Sequence, residues 1–391
     1  MFQTIFFLLI SYFLLIAQNP PVFQSQLVDG NVAIGYGLAI GDVDGDSKPD
    51  ILLADKKQFV WYRNGDWKRF VMVDNLTESD NVCIAARDIN GDGRVEVAVG
   101  AQWNPSETSD TLKSGAVYYL VRPKDPTQLW KPVKLHHEPV THRMRWVKTD
   151  KEGSKYHLVV LPLHGRGNKG GAGAGVKVYA YEMPASPEKQ PWKLTLVDES
   201  MHLTHNLDVV PGTGSEVVYI GGKEGIKGFT FQDNKWISAS EPWVVKGTGF
   251  GELRSGGEGE LLAGIEPMHG NELTVYSPKG NKSVSAPGSA DLTRTVLTPD
   301  LNQGHALAVA DLLGRGTKQV VAGWREPNKE NKVGVKIFVR GEGDTWRNYW
   351  IDDNGMACED LQVADLNADG KLDIIAAGRA TGNLKIYWNR N

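Results

Sequence analysis

One pattern recurs along the chain and restricts its fold more than any other feature. Two short apolar runs flank an acidic turn, and a third apolar run follows after a loop. A fourth piece, often starting with tryptophan, completes the unit. The pattern is clearest in GLAIGDVDGDSKPDILLA (37–54), CIAARDINGDGRVEVAVG (83–100), ALAVADLLGRGTKQVVAG (306–323) and DLQVADLNADGKLDIIAA (360–377). Four β-rich runs in each unit predict one antiparallel sheet of four short strands.

Three weaker copies bring the number of units to seven. They begin near residues 142–150, 205–222 and 250–265, and each keeps the two apolar runs but alters the acidic turn. The spacing of roughly 45–60 residues is in the range of propeller blades. A sheet of four short strands cannot bury both of its faces, whereas seven such sheets arranged radially can. An open array of two domains is the alternative, but no Pro/Ser-rich linker divides the chain.

The two ends of the chain predict how the ring closes. The last unit stops after its third strand, LKIYWN at 384–389, and a strand-like piece, VFQSQLVD at 22–29, precedes the first unit. We expect this piece to form the outer strand of the last blade, because that would remove an exposed edge. The predicted fold is therefore all-β: one seven-bladed propeller of four-stranded antiparallel blades over residues 22–391, closed by the N-terminal strand.

Residues 1–18 differ from the rest, because they are almost wholly apolar and carry no charge. They predict a secretory signal, with an uncleaved N-terminal anchor as the alternative. The protein is then secreted, periplasmic or at the cell surface, and no membrane contact beyond that anchor is expected. A net charge of −4 without any Lys/Arg run argues against a nucleic-acid partner, and we expect a monomer. Cys83 and Cys358 exclude a disulfide framework and favour two buried thiols, although a single bridge stays open.

The acidic turns predict calcium sites. Residues 42–50 read DVDGDSKPD, but the twelfth position is Leu53 and a strand follows at once, so this is not an EF-hand. Alternating carboxylates around Gly45 can still supply the six to eight oxygens that calcium prefers. The sixth unit, with Arg315 and Gln319 at ligand positions, predicts no ion. The full sets are Asp42, Asp44, Asp46 and Asp50; Asp88, Asn90, Asp92 and Glu96; and Asp365, Asn367, Asp369 and Asp373.

With these turns, residues 22–391 resemble the FG-GAP/VCBS repeat family, whose members are secreted β-propellers with calcium-binding turns of this form. Such repeats occur in adhesion receptors, lectins and enzymes, so the resemblance implies calcium and a fold but no particular activity. The layout is also similar to the propeller domain of aldos-2-ulose dehydratase, a lyase that acts on oxidised sugars. That second resemblance implies a small carbohydrate or oxidised sugar as the partner.

A second polar site is predicted at the opposite end of the first strands. Six residues before the acidic turn stand Tyr36, His305 and Glu359, and the shortened fourth unit has His205 there. The third unit is offset and offers His142 and Arg143. Five of the nine histidines map to this face. The loops between second and third strands add His164, Arg166, Glu266, His269, Trp324, Arg325 and Arg379, and Trp103 lies in a similar loop.

This concentration of imidazoles, carboxylates and guanidiniums predicts an enzyme that removes a proton next to a carbonyl, as in β-elimination or dehydration of a sugar. A histidine or Glu359 would be the base, and arginines would stabilise the enolate oxygen. Alternatively, His142, His205 and His305 can hold zinc or another divalent ion. A binding module without turnover and a passive scaffold remain open. The candidate catalytic residues are His142, His164, His205, His305, Glu359, Arg166, Arg325 and Arg379.

Overall fold

The structure is a computed structural model that describes residues 19–239, 245–247, 249–257, 261–278 and 292–391. The predicted signal segment, residues 1–18, lies outside the described residues. Nearly all regular structure in the described part is β-strand. No helix among these residues is long and apolar enough to cross a membrane.

The first three blades follow the chain in sequence order. A separate strand, β1 (Phe23–Asp29), precedes them. The blade strands are β2 (Gly37–Gly41), β3 (Asp50–Ala54), β4 (Gln58–Tyr62) and β5 (Arg69–Asp74) in blade 1; β6 (Cys83–Arg87), β7 (Glu96–Ala101), β8 (Ala116–Val121) and β9 (Lys131–Lys134) in blade 2; and β10 (Thr141–Lys148), β11 (Tyr156–Pro162), β12 (Val178–Glu182) and β13 (Lys193–Asp198) in blade 3.

The remaining blades repeat this order, with two additions. A short strand, β18 (Val245–Lys246), pairs with the third strand of blade 4, and a 3-10 turn (Glu342–Asp344) follows the third strand of blade 6. The strands are β14 (Thr204–Val210), β15 (Val217–Gly222), β16 (Gly225–Gln232) and β17 (Lys235–Ser238) in blade 4; β19 (Glu252–Ser255), β20 (Leu262–Glu266), β21 (Glu272–Pro278) and β22 (Leu292–Thr298) in blade 5; β23 (Gly304–Ala310), β24 (Gln319–Trp324), β25 (Gly334–Arg340) and β26 (Trp346–Asp353) in blade 6; and β27 (Cys358–Ala364), β28 (Asp373–Gly378) and β29 (Asn383–Asn389) in blade 7.

The N-terminal strand closes the ring as predicted. β1 pairs antiparallel with β29, from Phe23 opposite Asn389 to Asp29 opposite Leu384, and so becomes the fourth strand of blade 7. The first strands β2, β6, β10, β14, β19, β23 and β27 contact one another in turn, and β27 contacts β2. These seven strands therefore surround a central channel. The predicted seven-bladed all-β propeller is confirmed.

The core lies between neighbouring blades. Trp61 and Phe59 of blade 1, for example, share a buried cluster with Ile84 and Val97 of blade 2. Each blade thus covers its apolar faces with the blades on either side, which a single four-stranded sheet cannot do alone.

The two cysteines are buried and unpaired, as the sequence favours. Burial raises the pKa of Cys83 to about 12, so its thiol is neutral at physiological pH. Gly100 makes room for it, because a Cβ at that position would lie 2.5 Å from the Cys83 sulfur. Both cysteines are therefore packing residues on the innermost strands.

Candidate functional site

Four of the first strands carry a register shift at the end remote from the acidic turns. In β10 the pairing with β11 shifts between Thr141 and Arg143, which leaves His142 as the extra residue. The same shift leaves His205, His305 and Glu359 as extra residues in β14, β23 and β27. The described first strands of the other three blades pair regularly. Bulges redirect side chains and recur beside binding sites, so the backbone itself sets these four residues apart.

Three of the histidines are oriented by the carbonyl group of the next blade. Nδ1 of His142 lies 2.7 Å from the carbonyl oxygen of His205, and Nδ1 of His205 lies 2.5 Å from that of Gly251. Nδ1 of His305 lies 2.6 Å from the carbonyl oxygen of Glu359. A carbonyl only accepts, so Nδ1 carries the proton in each ring and Nε2 keeps its lone pair.

His205, His305 and a third histidine form a compact cluster. The third is His269, which comes from the loop after β20 in blade 5. The first strand of that blade begins just after Gly251 and carries no histidine. One ring nitrogen from each of the three lies within 4.8 Å of the others. Nε2 of His205 is 2.6 Å from Nε2 of His269. Such convergence of ring nitrogens, with Nδ1 of His205 and of His305 held by backbone carbonyl groups, is how proteins present histidine to a transition metal.

All four imidazoles are neutral at pH 7. Burial, together with the charges of Arg325 and Arg143, lowers the pKa of His269 to about 4. Burial also holds the pKa values of His142, His205 and His305 well below the usual range. Neutral rings are the form that binds metal, because the lone pair is then free.

His142 lies beside this cluster and outside it. Its ring centroid is 4.5 Å from that of His205 and 5.1 Å from that of Trp103. Because its Nδ1 donates to a carbonyl, its Nε2 is a proton acceptor next to the three clustered imidazoles. Trp103 therefore packs beside His142, and Nε2 of His142 is an acceptor beside the clustered imidazoles.

Glu359 is held between two arginines. Arg325 Nη1 donates to both carboxylate oxygens at 2.9 Å, and Arg379 Nη1 donates to one of them at 3.0 Å. The side chain of Glu359 is only 1% exposed. Arg379 also stacks over the ring of Tyr36, at 5.4 Å from its centroid. This pairing makes Glu359 an anchor for two guanidiniums and favours a histidine over Glu359 as a base. We use the term histidine mouth for His142, His205, His269, His305, Arg325, Glu359 and Arg379.

Two of the candidate residues, His164 and Arg166, share no recorded contact with the histidine mouth in the described part of the chain. Arg166 donates to both carboxylate oxygens of Glu138 at 3.1 Å and is about half exposed. His164 forms a backbone bridge with Leu203 on the way to blade 4. Both belong to loop packing between blades 2, 3 and 4.

The side chains of two other loop residues, Glu266 and Trp324, also have hydrogen-bond partners outside the histidine mouth. Glu266 accepts hydrogen bonds from Thr274, Tyr276 and Arg294 and is buried. The buried indole of Trp324 donates to the carbonyl oxygen of Lys332. Both residues therefore fix loops.

At the other end of the first strands, the first acidic turn brings three carboxylates together. Carboxylate oxygens of Asp42, Asp44 and Asp50 lie within 4.8 Å of one another. Asp42 accepts the backbone N–H groups of Gly45 and Ser47, each at 2.7 Å, which fixes its orientation. Burial raises the pKa of Asp50 to about 7. A buried carboxylate beside two others fits a cation, because the ion would offset both the burial and the repulsion.

The other turns follow the same plan with one change. In the second turn Asp88 accepts from Gly91 and Gly93, and burial raises the pKa of Glu96 to about 7. In blade 7, Asp365 accepts the backbone N–H groups of Asp369 and Gly370, and Asp373 accepts that of Leu366. In blade 6, the neutral amide oxygen of Gln319 accepts the backbone N–H of Leu313 instead. The blade 6 turn therefore keeps this backbone contact with an uncharged amide in place of the carboxylate at its last position.

Comparison with known proteins agrees with this geometry. Residues 42–99, which contain the first two acidic turns, match the profile of the FG-GAP-like repeat. The chain is a seven-bladed β-propeller that carries an FG-GAP-like repeat at residues 42–99. No curated protein sequence matches it. The remaining assignments concern what this propeller binds.

Solved structures show the fold of this propeller and no more. The β-propeller domain of Cps50 (Swd1) from Myceliophteria thermophila has 11% identity and a TM-score of 0.54, and the match covers 93% of this chain and 99% of that one. BBS1N in complex with ARL6DN has 13% identity, a TM-score of 0.57 and coverages of 95% and 98%. YCF48 from Cyanidioschyzon merolae has 9% identity, a TM-score of 0.53 and coverages of 93% and 98%.

Proposed function

We propose that this propeller is a secreted lyase that binds a divalent metal at the histidine mouth and eliminates water or an alcohol from a sugar. One observation carries the proposal: three neutral imidazoles bring their lone pairs to one point beside a free imidazole and two arginines. A scaffold has no use for that arrangement, since burying so many polar groups is costly unless they bind something.

The cluster fits a metal of the zinc type. His205, His269 and His305 offer three nitrogens, and three protein ligands with an open fourth position are typical of catalytic zinc sites. The imidazoles are neutral and two of their Nδ1 atoms are held by carbonyl groups, so little rearrangement is needed. When bound, such an ion supplies a Lewis acid that polarises a carbonyl or hydroxyl oxygen.

The residues around the cluster can perform the proton transfers. Nε2 of His142 accepts the proton from the carbon next to a carbonyl. The C–H electron pair becomes the new C=C bond, and the C–O bond at the adjacent carbon breaks. The departing oxygen takes up a proton, which releases water or an alcohol, so the step needs no oxidant. Arg325 and Arg379, held by Glu359, stabilise the negative charge that develops on the carbonyl oxygen.

Calcium has a structural part in the proposal. The three complete turns lie at the opposite end of the first strands, so bound ions would stabilise the strand pairs without touching the substrate. Export through residues 1–18 would bring the protein to compartments in which sites of millimolar affinity are filled.

A sugar-binding propeller without turnover is the second candidate. It is favoured by the lowered pKa of His142, because a base with such a pKa removes protons weakly. Trp103, next to His142, would serve a binder as well as an enzyme by stacking on a sugar ring.

The experiment that separates the two combines metal analysis, a screen of small sugars and sugar derivatives, and an ultraviolet assay for the new conjugated double bond. We expect one transition metal per chain in addition to calcium, and turnover that His142→Ala abolishes while metal and ligand binding persist. His136→Ala, at an exposed histidine outside the mouth, is the matched control and should change nothing. Ligand binding without product for every sugar would favour the binder, and absence of both metal and ligand would refute the proposal.

A further inference from the structure

One guanidinium beside the histidine mouth has no carboxylate partner. Arg143 follows the bulge residue His142 and is 4% exposed. Its Nη1 donates to the carbonyl oxygens of Tyr36 and Val82, at 3.2 and 3.3 Å. Within the described residues, no ion pair of Arg143 with an acidic side chain is recorded. Arginine stays charged at any physiological pH, so the channel holds a buried charge that only backbone dipoles balance directly.

Two buried carboxylates lie in this part of the channel. Both oxygens of Asp360 accept backbone N–H groups, from Leu38 at 2.7 Å and from Leu361 at 2.9 Å. Oε2 of Glu252 accepts from Asn206 and lies 3.7 Å from Arg254, and its Oε1 lies 3.6 Å from Nδ1 of His205. Glu252 attracts the charge of Arg143 from a distance, but among the described residues neither carboxylate forms an ion pair with Arg143.

The mouth therefore carries an excess of positive charge. Arg143, Arg325 and Arg379 outnumber the two nearby carboxylates, Glu359 and Glu252, while the four imidazoles are neutral. Asp80, which accepts from the Tyr36 hydroxyl, lies 3.8 Å from Lys57 and is balanced by it. A bound divalent metal would raise the excess further. A site of this charge attracts anions and disfavours cations.

We propose that the natural ligand of the histidine mouth is a sugar acid, with its carboxylate paired to Arg143. This inference rests on the proposed lyase function and specifies its substrate class. The carboxylate would be attached to the carbon that loses its proton, because neutralising that group by a guanidinium makes the adjacent C–H bond more acidic.

The test compares acidic with neutral sugars on the full chain loaded with zinc. The probes are galacturonate and glucuronate against galactose and glucose, with trigalacturonate to distinguish a single sugar acid from a polymer. Isothermal titration should give affinities about tenfold to a hundredfold higher for the acids, the range expected for one charge-assisted pair. Added salt should reduce this preference.

Variants show whether Arg143 is the cause. Arg143→Gln should bind acid and neutral sugars equally while keeping its zinc, and Arg143→Lys should keep part of the preference. Arg347→Gln, at an exposed position of the outer strand β26, is the matched control and should behave as wild type.

The comparison of acids with neutral sugars in wild type decides the question even if Arg143→Gln does not fold. Equal affinity of wild type for galactose and galacturonate, or a preference that survives in Arg143→Gln, would overturn the sugar-acid inference. Zinc binding and turnover of a neutral sugar would in that case leave the lyase proposal intact. If wild type bound no zinc at all, the proposed function itself would be refuted.

Discussion

Replacing His305 with alanine tests the metal cluster most directly. Its Nε2 is one of the three clustered nitrogens, and its Nδ1 donates to the carbonyl of Glu359 at 2.6 Å. The substitution removes a ligand, so zinc should no longer stabilise the folded protein. It also leaves a buried carbonyl unpaired, which costs about 1–3 kcal/mol with or without zinc. The informative quantity is therefore the zinc-dependent change in melting temperature, and not the melting temperature itself.

The expected size of that change follows from binding linkage. At free zinc of about 100 times Kd, a ligand that binds only the folded state stabilises it by about 2.7 kcal/mol. For a propeller over residues 22–391, the unfolding entropy is roughly 0.8 kcal/mol per kelvin. Zinc should therefore raise the melting temperature of wild type by about 3 °C, and that of His305→Ala by less than about 1 °C.

His142→Ala is the matched control. Like His305, His142 is buried and its Nδ1 donates to a neighbouring carbonyl, but it is not one of the clustered ligands. It should keep the full zinc-dependent shift in differential scanning fluorimetry, with zinc content confirmed by elemental analysis. A shift that is lost equally in both variants, or retained in His305→Ala, would refute the three-histidine assignment.

Three further predictions concern the first acidic turn, a buried histidine and the closure of the ring. Asp50→Asn should lower the bound calcium by one ion per chain in elemental analysis and should leave zinc unchanged; full calcium content would contradict the assignment of that turn. Burial lowers the pKa of His157 to about 4, so the unfolded chain binds a proton that the folded chain does not. Stability should fall as pH drops from about 6.5 to 4, by about 3 kcal/mol from this group. Urea unfolding should show a weaker pH dependence in His157→Leu, whereas the same change at exposed His136 should have no effect. Deleting residues 19–29 should expose the edge of β29 and cause association in size-exclusion chromatography; an unchanged monomer would count against closure by β1.

The sequence predicts the fold well because the units carry two independent signals. The apolar runs of each unit indicate strands, and the acidic turns fix where the first strand ends and the second begins. In blades 1, 2 and 7 the turn starts directly after the first strand, at Asp42, Asp88 and Asp365. Closure by residues 22–29 follows from simple counting, since blade 7 is one strand short.

The candidate site is predicted in part, and the reason lies in the backbone. Counting back from the turns reaches His305 and Glu359 because their bulges stand at the same position in each first strand. His269 is reached only as one of several loop residues, since the path of the loop after β20 decides that it joins the cluster. The path of another loop likewise decides that His164 and Arg166 pack against neighbouring blades and stay outside the histidine mouth. The sequence places Arg143 beside His142 at the start of the third unit, but only the fold shows that it forms no ion pair with a carboxylate of the described residues.

The repeats have divided their roles around the ring. Blades 1, 2 and 7 keep complete acidic turns, whereas blades 3 to 6 supply the imidazoles of the histidine mouth: His142, His205, His269 and His305. The acidic turns and the histidines stand at opposite ends of the first strands, so the loss of a turn does not by itself require a histidine in the same blade. That both occur together in blades 3 to 6 therefore reflects specialisation of the units. Three neighbouring blades keep the acidic turns that we expect to bind calcium, and the other four place imidazoles at the channel, where Glu359 and Arg379 of blade 7 join them. DVDGDSKPD in blade 1 thus belongs to the framework, while the altered turns indicate the blades that supply the histidines.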